Sequence, residues 1–225
     1  MNILDNIKGG LIVSCQALPD EPLHSSYIMA KMAYAAMMGG AKGIRANTAV
    51  DINEIKKVAA LPVIGIVKCD YNDSPIYITP TMQEVDELTG CGAEIIAMDA
   101  TARLRPGGEG LKAFFTRVRE KYPRQLFMAD CATFAEGIAA AEMGFDIIST
   151  TLCGYTDESK GMVVPDYSLL TDLVSQCGKP VIAEGGIWAP AELRQAMACG
   201  CHAAVVGSAI TRPQLITERF VRELG

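Results

Sequence analysis

Thr133-Phe-Ala-Glu-Gly-Ile-Ala-Ala-Ala-Glu-Met-Gly-Phe-Asp-Ile-Ile-Ser-Thr150 reads as one complete unit: a helix start, a helix, a stop and a buried strand. Thr133 followed three residues later by Glu136 is the reciprocal pattern that satisfies the first free N–H groups of a helix. Ile138 and Ala141 fall on one helical face, and Gly144 is the residue at which such a helix stops. The same grammar recurs twice. Thr81-Met-Gln-Glu84 leads through Val85 and Leu88 to Gly90-Cys-Gly92 and Glu94-Ile-Ile-Ala-Met-Asp99. Ala189-Pro-Ala-Glu192 leads through Leu193, Met197 and Gly200 to Ala203-Ala-Val-Val-Gly207, with Pro190 at a first helical position. Helix and strand in alternation mean a parallel sheet, because a crossover helix must cover each strand pair.

Working outward, the apolar runs that qualify as strands are residues 10–16, 43–46, 62–68, 95–99, 126–130, 147–151, 180–184 and 203–207. Eight is the number of a closed barrel, and 225 residues lies near the lower end of its usual length. An open doubly wound sheet would carry a glycine-rich dinucleotide fingerprint after an early strand, whereas Ser14-Cys15-Gln16-Ala17-Leu18-Pro19 follows the first one here. The sequence therefore predicts an α/β fold, a single (β/α)8 TIM barrel over residues 1–225, with phosphate-binding loops after strands 7 and 8.

A net charge of −6 without a Lys/Arg cluster disfavours a nucleic-acid partner but leaves room for a small anionic ligand. The segment Met1-Asn2-Ile3-Leu4-Asp5-Asn6-Ile7-Lys8 lacks the basic-then-apolar order of a signal peptide, and no apolar run is long enough to span a bilayer. The eight cysteines include no Cys-x-x-Cys pair and several fall in apolar patterns, as in a reduced intracellular protein. A cytoplasmic protein without a membrane partner is expected. The apolar helices near both termini make a homodimer plausible.

Polar side chains recur where these strands end: Gln16, Arg45, Lys68, Asp99, Asp130, Thr150-Thr151 and Glu184. In a barrel such positions converge on one mouth. Lys68 and Glu184 are the acid/base candidates there, the alternative being a salt bridge that closes the barrel top. Burial and Arg45 would lower the proton affinity of Lys68, while Glu184 would raise it. Gln16, Arg45, Asp130 and Thr150 are the substrate-binding candidates; Gln16 donates and accepts at once, which suits a hydroxyl or acetamido group. Asp99 and Asp130 either meet hydroxyls or cap the segments that follow. Gly185-Gly186 and Gly207-Ser208, with Arg212 on the first turn of a helix from Thr211 onward, form a candidate phosphate cradle; tight turning and a solvated arginine are the other readings. Residues 101–109 read as a mobile loop over the mouth, with Arg103 and Arg105 steering an anion or solvated. His24 and His202 stand far from any cluster that could hold a metal.

Seven stretches taken together resemble the N-acetylmannosamine-6-phosphate 2-epimerase family, in order and from nearly one end of the chain to the other. They are Ile12-Val13-Ser14-Cys15-Gln16 with Pro22-Leu23, Ile64-Gly65-Ile66-Val67-Lys68, Ile78-Thr79-Pro80, Met128-Ala129-Asp130, Ser149-Thr150-Thr151 with Gly154-Tyr155-Thr156, Ala183-Glu184-Gly185, and Val206-Gly207-Ser208-Ala209-Ile210-Thr211-Arg212. The resemblance implies a phosphosugar-binding barrel of sialic acid breakdown that works without a metal or organic cofactor. It implies that Lys68 and Glu184 handle the proton at C2, with Gln16, Arg45 and Asp130 near the sugar and Gly185, Gly186, Gly207 and Ser208 at the phosphate. Two positions depart from the family pattern, in which arginine usually follows both the lysine and the Glu-Gly pair: this chain has Cys69 and Gly186. The departure bears on phosphate affinity, substrate choice and subunit contacts. Beside the cofactor-free epimerase stand two alternatives, a Schiff-base aldolase with Lys68 as nucleophile and a catalytically silent phosphosugar sensor.

Overall fold

A computed structural model describes residues 2–225; Met1, the first residue of the N-terminal segment read above, lies outside them. Eight parallel strands close in chain order: β1 (Leu11–Cys15), β2 (Gly43–Asn47), β3 (Val63–Ile66), β4 (Ile95–Asp99), β5 (Leu126–Asp130), β6 (Ile147–Ser149), β7 (Val181–Glu184) and β8 (Ala203–Val206), which pairs back onto β1. Helix α1 (Ile3–Ile7) precedes the barrel. Helices α2 (Ser26–Met38), α3 (Ala49–Lys56), α4 (Met82–Gly90), α5 (Leu111–Lys121), α6 (Phe134–Met143), α7 (Tyr167–Gln176) and α8 (Pro190–Ala198) each follow one of β1 to β7. After β8 come a short α9 (Ser208–Thr211) and then α10 (Pro213–Arg222).

The local rules that select these elements are visible at their ends. Glu84 accepts from the Thr81 N–H at 2.7 Å, and Glu136 from the Thr133 N–H at 3.0 Å while Thr133 Oγ1 accepts from the Glu136 N–H at 3.3 Å. At α8, Ala189 has no hydroxyl to offer, and Glu192 alone does the capping by accepting from the N–H groups of Trp188 and Ala189. Gly144 ends α6 at φ 96°, a left-handed conformation glycine adopts without penalty.

Side chains alternate across each strand and build two apolar layers. Ile12, Ile64, Ile66, Ile95, Ala97, Met128, Ile147, Ile182, Ala203 and Val205 fill the barrel interior. Val13, Ile44, Val63, Ile96, Phe127, Ile148, Val181 and Ala204 pack outward against the helices. Each buried isoleucine contributes about 1.5–3 kcal/mol. The inward parity continues past the strand ends, so Ile64-x-Ile66-x-Lys68, Met128-x-Asp130, Ile147-x-Ser149-x-Thr151 and Ile182-x-Glu184 deliver polar groups to the mouth.

Three sequence expectations change. Strand β3 stops at Ile66, and Lys68 stands in a return hairpin, bridged antiparallel to Ile78 with the Cys69 N–H donating to the Tyr77 carbonyl at 3.0 Å. The helix expected from Thr211 is two elements, because Pro213 cannot donate an N–H and starts α10 afresh; Arg212 stands at the joint rather than in a first turn. The loop 101–109 is pinned. Arg105 is 1% exposed, donates from Nη1 to the carbonyls of Thr79 and Pro80 at 2.9 Å each, and lies 4.1 Å over the Phe114 ring. Arg103 pairs with Asp99 at 2.6 Å. Unpaired carbonyls at the hairpin corner need donors, and the arginines supply them.

Candidate active site

At the carboxyl ends of the strands lies a cavity of about 290 Å³, with Gln16, Arg45, Lys68, Thr151 and Glu184 in its wall and Gly185, Gly186, Gly207, Ser208 and Arg212 at one end. Lys68 follows β3 and Glu184 ends β7, four places apart in a ring of eight strands, so the two stand on opposite walls. They do not form the salt bridge that would close the barrel top. Glu184 pairs with Arg45 at 2.7 Å, and among the described residues Lys68 has no ion-pair partner.

Arg45 organises the centre. It is 1% exposed, grips Asp130 through two bonds of 3.0 and 2.6 Å, and reaches Glu184 from the same side. Desolvation pulls its proton affinity down, but the Asp130 and Glu184 carboxylates outweigh that and leave it raised. Thr151 completes the network, donating to Asp130 at 2.7 Å and lying 3.1 Å from the Glu184 carboxylate. Burial raises the pKa of Glu184, against the pull of Arg45. Burial lowers Lys68 to about 8, helped by the charges of Arg45 and Arg212 and opposed by those of Glu184 and Glu21. The site thus holds a carboxyl shifted up and an amine shifted down, which draws the proton affinities of the two groups toward each other.

Two candidates sit differently from expectation. Thr150 points outward and does not line the cavity; its hydroxyl donates to the Glu184 carbonyl at 2.9 Å and accepts from the Glu184 N–H at 3.2 Å, so it fixes the backbone that carries Glu184. Asp130 is fully buried behind Arg45, with its carboxylate engaged by Arg45 and Thr151, and it orients the guanidinium rather than facing the cavity. Asp99 binds the Thr101 N–H and hydroxyl and Arg103, the capping alternative for that residue. Gln16 donates to Ser14 Oγ at 2.7 Å and keeps its Oε1 without a partner. Arg212 lines the cavity and is held by Glu21. Thr151, which ends the sixth apolar run beside Thr150, lines it as well, and so do Tyr77 and Trp188, which were not among the sequence candidates. Thr151 follows from strand parity; Tyr77 arrives by the return hairpin, which leaves no periodic signal.

The two departures have different geometry. Cys69 packs against the outer apolar layer and does not line the cavity. Gly186 has φ +71°, and a Cβ there would fall 2.5 Å from the carbonyl carbon and oxygen of Val164, so the Val164-Pro165 segment occupies the space a side chain at 186 would need. The eight thiols are free and five are buried; burial raises Cys15 and Cys201 to about 12, which makes them packing groups rather than nucleophiles.

Fold and cavity define the class, a (β/α)8-barrel enzyme with titratable groups gathered at the carboxyl ends of its strands. The family model described as "Putative N-acetylmannosamine-6-phosphate epimerase" matches residues 29–225, and the chain belongs to that family. A Listeria monocytogenes protein named "Putative N-acetylmannosamine-6-phosphate 2-epimerase" is 52% identical over 225 residues, 99% of this chain and 95% of its own. A Clostridium perfringens protein of the same name is 56% identical over 218 residues, 97% of this chain and 98% of its own. A solved structure of the N-acetylmannosamine-6-phosphate 2-epimerase from Clostridium perfringens superposes with a TM-score of 0.94 at 55% identity, covering 99% of this chain and 96% of that one. Thiamine phosphate pyrophosphorylase from Pyrococcus furiosus, at 16% identity and a TM-score of 0.62, shares the fold alone.

Proposed function

We propose that this protein inverts C2 of N-acetylmannosamine 6-phosphate to give N-acetylglucosamine 6-phosphate, the substrate its relatives are named for. The observation that carries the reading is the placement of Lys68 and Glu184 on opposite walls of one cavity. In the opened sugar the C2 proton is α to the C1 aldehyde, so its removal gives a planar enolate. A proton returned to the other face inverts the centre. Two groups facing each other across that plane suffice: one takes the proton while the other delivers one, and their roles exchange in the reverse direction. The step is redox-neutral and asks for no electron carrier.

The remaining roles follow from position. The 6-phosphate lies against Gly185, Gly186, Gly207, Ser208 and Arg212, and Gln16 Oε1 accepts from a donor on the sugar. Arg45 holds Glu184 in place, with Asp130 and Thr150 supporting the arrangement. The reaction belongs to amino-sugar catabolism, in the breakdown of sialic acid, and to the cytoplasm. No helix of the described residues is long and apolar enough to cross a membrane. Incubation of N-acetylmannosamine 6-phosphate with the wild type should yield the gluco epimer, while Lys68→Ala and Glu184→Gln should each lose about 10²–10⁴-fold in kcat. Full activity in either variant would remove that residue from the mechanism.

The unpaired, downshifted Lys68 also fits an imine-forming amine. Borohydride added during turnover decides this: an adduct on Lys68 supports the aldolase, and an unchanged mass supports proton transfer. The chain further acts as a homodimer through α10, which has no buried residue and exposes Phe220, Val221 and the adjoining Leu224. An uncovered apolar stripe of this kind is what a second copy buries.

A further inference from the structure

We infer that Glu21, in the loop between β1 and α2, is the positioning residue that locks Arg212 toward the phosphate end of the cavity. The inference rests on the reading of that end as a phosphate site. Arg212 stands at the α9–α10 joint, with irregular backbone at φ −119° and ψ 80°, and a long side chain there has many rotamers to lose. Glu21 removes that freedom. Its Oε1 lies 2.7 Å from Arg212 Nε in an ion pair and accepts from Gln214 Nε2 at 3.1 Å; its Oε2 accepts from Arg212 Nη2 at 2.9 Å and from the Leu18 N–H at 2.8 Å. Each carboxylate oxygen therefore meets Arg212 and one further donor. The backbone that carries the carboxylate is itself anchored, since the Glu21 N–H donates to the Leu18 carbonyl at 2.9 Å and the His24 N–H donates to the Glu21 carbonyl at 3.1 Å.

The fork is taken side-on, through Nε and Nη2. That leaves Nη1 as the free end of the guanidinium, and its one hydrogen bond among the described residues is to Ser208 Oγ at 3.4 Å, on the glycine-serine turn that lines the cavity. A planar guanidinium held along one edge presents its remaining donors in a fixed direction, which a lysine or a mobile arginine does not. The pairing also acts on Lys68, because Arg212 lowers and Glu21 raises its proton affinity.

The test is a cycle of Glu21→Gln, Arg212→Ala and the double variant, with N-acetylmannosamine 6-phosphate as substrate and inorganic phosphate as competing probe. Glu21→Gln keeps the shape and removes the charge. It should raise KM and the inhibition constant for phosphate about tenfold, with kcat changed less than threefold. In the Arg212→Ala background it should add nothing, because it acts through Arg212. The alkaline limb of the pH profile should also move to lower pH, since a negative charge favouring protonated Lys68 is gone, a shift that a merely structural role would not produce. Equal losses in both backgrounds, or tighter phosphate binding in Glu21→Gln, would overturn the proposal. If Arg212→Ala leaves phosphate inhibition unchanged, the phosphate reading of this end fails and the inference with it; if Arg212→Ala weakens it and Glu21→Gln does not, the role of Glu21 alone is refuted.

Discussion

Arg45 shows how one residue can set both stability and chemistry. Its buried guanidinium pairs with both Asp130 and Glu184, and truncation leaves the two carboxylates without their shared cation. Removing one partner of a buried pair costs about 3–5 kcal/mol, so Arg45→Ala should lower the unfolding free energy by an amount of that order, measured by urea titration at pH 7. Lys68 and Glu184 carry the pH dependence. Transfer in either direction needs the pair to hold one proton between them. Above the Lys68 value of about 8 that proton is lost; below the Glu184 value, which burial raises above the ordinary carboxylate, a second proton binds. The kcat/KM profile should therefore be a bell whose alkaline limb lies near pH 8, whereas lysine acting alone as base would give a rate that rises through pH 8. Which residues face the cavity was partly legible in the sequence. Ile147-Ile148-Ser149-Thr150-Thr151 has strand parity, and counting in twos from the inward Ile147 selects Thr151 over Thr150. The partners of Arg45 were not legible, because Asp130 is 85 residues away and Glu184 is 139, and only closure of the barrel joins them.

At the scale of elements, the capping residues and glycine stops specified the helices in advance because each rule is local, spanning a few residues. The return hairpin after β3 and the pinned loop 101–109 depend on carbonyls satisfied by distant side chains, and so they read from the sequence only as loops. The same dependence governs the turn after β7. Gly186 is held at φ +71° beneath Val164, so Gly186→Ala meets both a left-handed backbone, worth about 1–2 kcal/mol, and a direct overlap with the Val164 carbonyl. The variant should melt at lower temperature and lose substrate affinity, as both loops bordering the cavity shift. An arginine at 186 should be no better tolerated, and wild-type stability in Gly186→Ala, measured by thermal unfolding, would show that the Val164-Pro165 segment yields freely.

For the molecule as a whole, barrel closure is what turns eight separate strand ends into one site, and the end of α10 from Phe220 onward is left exposed by the barrel packing. Phe220→Asp places a charge in the exposed apolar stripe and should convert a dimer to a monomer in light scattering; a wild type that is already monomeric at micromolar concentration would contradict the pairing. The central claim is that Lys68 and Glu184 exchange the C2 proton with solvent across an enolate. Proton NMR of N-acetylmannosamine 6-phosphate with the wild type in D₂O tests it directly. Growth of N-acetylglucosamine 6-phosphate resonances with the C2 proton replaced by deuterium is the predicted result, and epimerisation that keeps the C2 proton, or no reaction, would contradict it.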